Sequence, residues 1–87
     1  MNETYDSIIA FMESYKDAHT KRKSQKLQEN LERPLSDLGL DSLGLVTLIC
    51  ATEEHFNIDI KASELPVYPT VRNYADLFYK KVEEKHE

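Results

Sequence analysis

The chain has 87 residues, a formal net charge of −5 and one cysteine. That length sustains one domain with a thin core, which buries roughly 60–65% of the surface its unfolded chain exposes. One cysteine excludes an internal disulfide and a cysteine-built zinc cage, and no apolar run approaches the ~18 residues of a membrane span. The opening MNETYDSI lacks a basic stretch followed by an apolar one. We therefore expect a single soluble domain over residues 1–87, in the reducing cytoplasm, without a membrane or nucleic-acid partner.

Charge is distributed by segment. Residues 35–60 contain Asp37, Asp41, Glu53, Glu54 and Asp59 and no lysine or arginine. Such a segment repels nucleic acid and attracts basic protein surfaces. Lys21, Arg22, Lys23, Lys26 and Arg33 concentrate between residues 19 and 34. No aromatic residue interleaves the run TKRKSQK, so it reads as a solvated loop or helix end.

In chain order, residues 3–18 read as a helix, because Tyr5, Ile8, Ile9, Met12 and Tyr15 recur as one apolar stripe that Phe11 widens. Asn2 or Thr4 can cap its start. Residues 19–41 show no sustained period. Leu27, Leu31, Leu35 and Leu38 suit a short helical turn followed by a loop pinned to the core, and Pro34 breaks any helix before it. A connection of this length is unusual in a compact domain and needs such anchors.

Gly39 is a turn residue and Asp41 a helix cap, which places Ser42 in the first turn of a helix running to about Phe56. Unpaired backbone N–H groups and the positive helix end there favour an anion. Leu45, Leu48, Ile49, Thr52 and Phe56 form the natural core face. Leu43, Val46 and Cys50 form a second apolar stripe, with Thr47, Glu53 and Glu54 beside it. One helix of a small bundle rarely buries two stripes, so the second is either covered by another segment or free to dock a partner. Ile58 and Ile60 anchor the exit loop, Lys61–Leu65 suits one short helical turn before Pro66, and Thr70 caps a last helix. Val71, Ala75, Phe78 and Val82 share one face of that helix, Tyr74 flanks it, and the polar tail from about residue 83 to 87 should fray.

Taken alone, Ser42 after Asp41 is an ordinary capping pair. A nucleophilic serine needs a base, yet His19, His55 and His86 are scattered and no Gly-x-Ser-x-Gly turn exists. Glu53, Glu54 and His55 lack the spacing of a helical zinc site, and Cys50 reads as a small apolar residue. We expect no metal and no catalytic residue.

The segment Leu38-Gly39-Leu40-Asp41-Ser42-Leu43, the amphipathic helix after it and the Phe56-Asn57-Ile58-Asp59-Ile60 exit together resemble an acyl carrier protein. The resemblance runs in register from Leu35 to Ile60. It implies an all-α fold, a small four-helix bundle of three main helices and one short helix with a long first loop. It also implies that Ser42 carries a phosphopantetheine arm from coenzyme A, attached by a phosphopantetheinyl transferase, with Asp41 and Leu43 shaping its presentation. The second stripe, Leu43, Val46, Thr47, Cys50, Glu53 and Glu54, would then dock acyl-loading, condensing or modifying enzymes. Leu45, Leu48, Ile49 and Thr52 would border any pocket sheltering the acyl chain. The implied protein is a monomeric, non-enzymatic carrier of thioester-bound acyl groups.

Common fatty-acid carriers place acidic residues where this chain has Gly44, Leu45 and Thr47, and a larger apolar residue where it has Thr52. The first difference favours apolar over charged docking; the second weighs against tight enclosure of a long alkyl chain. Both lean toward a specialised polyketide or fatty-acid-like pathway. The alternatives are an aminoacyl or peptidyl carrier, D-alanyl included, and a helical adaptor that never receives the arm.

Overall fold

The computed structural model describes residues 4–20 and 25–85. Among them are three α-helices, α1 (Tyr5–His19), α2 (Ser42–Phe56) and α3 (Val71–Lys85), and no strand. The expected short helical turn over Lys61–Leu65 is present as a single 3-10 turn at Ala62–Glu64, so the fourth member of the expected bundle is a turn and the α-helices number three. Pro66 and Pro69 follow within a few residues, and they leave no room for a second turn.

Thr4 caps α1. Its hydroxyl accepts from Ser7 N at 3.1 Å while Ser7 Oγ accepts from Thr4 N at 3.0 Å. Asn2, the other candidate, lies outside the described residues, as do Lys21, Arg22, Lys23 and His86. Ile8, Ile9 and Met12 are buried as the stripe predicts, and α1 packs against both α2 and α3.

Lys16 is buried too, which no apolar periodicity signals. Its ammonium lies 2.9 Å from Glu13 Oε2 and 3.1 Å from Asp17 Oδ1, and it donates to the Gln25 carbonyl at 2.7 Å. Burial disfavours the charge, but the hydrogen bonds to Glu13 and Asp17 outweigh it and hold the lysine above its ordinary pKa. Glu13 Oε1 also accepts from Leu27 N at 2.7 Å, so one face of α1 fixes the return of the first loop.

That loop is ordered by its leucines. Leu27 and Leu35–Leu38 lie on short 3-10 turns, and Leu27, Leu35, Leu38 and Leu40 are in the core. Backbone bonds stitch it to the start of α3: Leu35 N donates to Pro69 O at 3.0 Å, Val71 N to Arg33 O at 3.1 Å and Arg72 N to Leu31 O at 2.8 Å. The loop carbonyls thereby satisfy helix-end amides that would otherwise lack partners. Thr70 completes the cap by accepting from Asn73 N at 3.2 Å.

Helix α3 runs into the polar tail as far as Lys85, and Lys85 Nζ donates to the Phe56 carbonyl at the end of α2 at 3.0 Å. A cation there meets the negative end of α2.

Candidate functional site

The start of α2 is built by four consecutive local decisions. The 3-10 turn Leu35–Leu38 buries two leucines, and Gly39 reverses the chain at φ 99°, a conformation glycine adopts without a Cβ penalty. Leu40 then plugs into the core, 2% exposed. Asp41 caps the helix, its Oδ1 accepting from Gly44 N at 2.8 Å. Ser42 follows as the first helical residue and is exposed.

The backbone amides of Ser42 and Leu43 lie in the first turn, where the helix itself supplies no acceptor. Asp41 occupies the amide of Gly44 only. An accessible hydroxyl beside these amides, at the positive end of a 15-residue helix, suits a phosphodiester oxygen. Gly44 contributes by its small size: a Cβ there would stand 3.3 Å from both Asp41 Oδ1 and a Leu40 methyl group.

The two stripes of α2 separate in the structure. Leu43 is 72% exposed and Val46 56%, and Cys50 is exposed beside them. No described segment covers this stripe. Glu54 is exposed as well. Glu53 departs from the docking expectation: it is half-buried and its Oε2 accepts from Ile60 N at 2.9 Å. The exit loop turns back under α2 and takes this carboxylate for its own backbone. Thr47 is exposed, but its hydroxyl donates to Gly44 O at 2.9 Å and is bonded to the Tyr15 hydroxyl on α1. It belongs to the α1–α2 contact more than to a free face.

The residues expected around an acyl pocket are packed together instead. Leu48 and Thr52 are fully buried, Leu45 and Ile49 half-buried, and the Thr52 hydroxyl donates to Leu48 O at 2.8 Å. Thr52 thus satisfies itself within the helix and leaves no polar demand for a ligand. An open cleft of about 470 Å³ lies elsewhere, between α1 and the second half of α2, lined by Phe11, Tyr15, Ala51, Glu54 and His55 among others. Phe11 stacks on His55 there, ring centres 4.3 Å apart. Sequence periodicity placed Phe11 and Tyr15 toward the core, but could not show that α2 leaves their outer edges open.

Among the described residues no cluster of histidine, cysteine, aspartate and glutamate is arranged to hold a metal ion. Nor is any helix long and apolar enough to cross a membrane.

Residues 24–78 match the family model described as phosphopantetheine attachment site. Searches among curated proteins and among solved structures gave no significant match. The matched segment covers well over half of the chain and contains the first loop after residue 24, the Asp41–Ser42 corner, all of α2 and the start of α3. Proteins of this family carry a covalently attached phosphopantetheine and meet a phosphopantetheinyl transferase and partner enzymes. On these grounds the chain belongs to the phosphopantetheine attachment-site family, the carrier domains.

Proposed function

We propose that this protein is an acyl carrier, folded as one domain over residues 1–87, whose attachment point is Ser42. The observation that supports this most is the position of Ser42: exposed, first in α2, capped by Asp41 and inside the matched segment. When bound, the arm supplies a thiol that holds an acyl group as a thioester. The chain's own residues present the attachment point, keep it out of the core and offer partners the apolar stripe of Leu43, Val46 and Cys50. The protein catalyses no step itself on this reading. Its work is to turn diffusional encounters into tethered delivery, which raises the effective concentration of cargo at each enzyme.

The pathway we favour is a specialised polyketide or fatty-acid-like one, in the cytoplasm, because the stripe beside Ser42 is apolar where charge would suit a more electrostatic partner. Leu48 and Thr52 are packed tightly, which supports a cargo held outside the bundle. The same packing suits a short polar cargo, and it keeps an aminoacyl or peptidyl carrier as the second reading. Loading by an adenylating enzyme instead of an acyltransferase separates the two.

The decisive experiment incubates the purified chain with coenzyme A and a broad-specificity phosphopantetheinyl transferase, followed by intact-mass measurement. We expect one phosphopantetheine on the wild type and none on Ser42→Ala. The variant should fold normally, since exposed substitutions usually stay within about 0.5 kcal/mol. No gain on the wild type points to an unmodified adaptor, and a gain that survives Ser42→Ala places the arm elsewhere.

A further inference from the structure

Gly44 stands two residues after Ser42, and side chains hold it on both sides. Its N–H donates to Asp41 Oδ1 at 2.8 Å, and its carbonyl accepts from Thr47 Oγ1 at 2.9 Å. The Leu43 carbonyl lies 3.2 Å from the same hydroxyl. Thr47 is bonded in turn to the Tyr15 hydroxyl, across the α1–α2 contact. The Thr47 hydroxyl thus meets both the carbonyls of the first turn and the Tyr15 phenol. The phenol is itself fixed from behind: His19 stacks on its ring at 4.0 Å and 16°, while His19 Nδ1 lies 2.9 Å from the Tyr15 carbonyl.

A glycine in the first turn loosens the helix start, because it has more conformations to lose than any other residue. The aspartate cap steadies only its amide side. A threonine bonding back to its own helix is common and by itself means little. Here the same hydroxyl also bonds a side chain of another helix, which couples the turn bearing Ser42 to the scaffold.

We propose that Tyr15 is a positioning residue for modification of Ser42: the relay from Tyr15 through Thr47 to the Leu43 and Gly44 carbonyls holds the first turn of α2 in the conformation the transferase binds. This rests on Ser42 being the attachment point. Losing the relay lowers the fraction of molecules with a competent first turn, so the apparent KM rises while kcat is kept.

The test compares wild type, Tyr15→Phe, Thr47→Val and Thr47→Ser in two measurements. One is the rate of phosphopantetheine transfer from coenzyme A as a function of carrier concentration. The other is backbone amide hydrogen exchange by NMR. For Tyr15→Phe and Thr47→Val we expect kcat/KM to fall by roughly 3- to 10-fold, the scale of one neutral hydrogen bond, with the loss in KM. Amides of residues 44–47 should exchange faster by a similar factor, beyond any uniform change shared with α3. Thr47→Ser keeps the hydroxyl and should stay near wild type. Exchange at 44–47 that only follows the rest of the molecule, or transfer kinetics equal to wild type in both variants, overturns the inference alone. A wild-type chain that is never modified overturns the attachment reading and this inference with it.

Discussion

The Lys16 ammonium, wholly excluded from solvent, donates to the Gln25 carbonyl at 2.7 Å and so ties the end of α1 to the returning first loop. One helical turn away Glu13 accepts from Leu27 N, so two charged side chains of one helix hold the same stretch of loop. From there the chain takes its leucine-anchored path to Gly39, Asp41 and Ser42.

Lys16→Met should therefore destabilise the domain although methionine matches the apolar stem. Removing one partner of a buried ion pair leaves the other charge uncompensated, at about 3–5 kcal/mol. Glu13 and Asp17 retain 18% and 29% side-chain exposure, so water relieves part of that. We expect a loss of about 2–3 kcal/mol in urea unfolding, near half the ~5 kcal/mol typical of a domain this small. A loss below about 0.5 kcal/mol would place Lys16 with ordinary surface substitutions.

Stability should fall steeply in alkali. Burial, then the nearby Asp76 carboxylate, pushes the Tyr5 phenol from 10.0 up to about 12. Burial raises Tyr74, and Lys16 and Lys81 also stand above their ordinary values. Each folded-state pKa is raised, so the native chain keeps protons that the unfolded chain gives up first. The stabilisation is complete below about pH 10 and is lost as pH rises through the folded values. Thermal melts between about pH 9 and 12 should show a falling midpoint, and Tyr5→Phe should flatten the slope. Glu64 has the opposite sign. The Lys61 backbone amide, then Lys81, holds it below the usual carboxylate range, and its contribution fades in acid.

Val46→Glu should separate docking from folding. Val46 is 56% exposed, so the midpoint of thermal unfolding should stay within a degree or two of wild type. A carboxylate pressed against an apolar partner surface lacks compensation, and we expect roughly a 10- to 100-fold loss in kcat/KM with a partner enzyme. Unchanged turnover would remove the stripe of Leu43, Val46 and Cys50 from the docking surface.

The Asp41–Ser42 corner and the three long helices were legible from residue order, because caps, turns and periodic stripes are local. Asp41 acts within three residues, Gly39 needs only its own backbone angle, and Ile8, Ile9 and Met12 repeat at the pitch of one helix. The exposed second stripe of α2 was visible as an excess, but its freedom depended on no other segment arriving. The short turn before Pro66 was legible too, and as a single 3-10 turn it lacks the length to propagate into a fourth α-helix.

Residue order sufficed to locate the serine that opens a helix and to mark the apolar helix faces. Only the packed fold could settle that Lys16 is buried, that Glu53 serves the Ile60 amide, that Thr47 meets Tyr15 and that Lys85 closes the end of α2. Each of these pairs a side chain with a group on another element or around a turn. Such partners are chosen by how the helices and loops pack, and no local period encodes that choice.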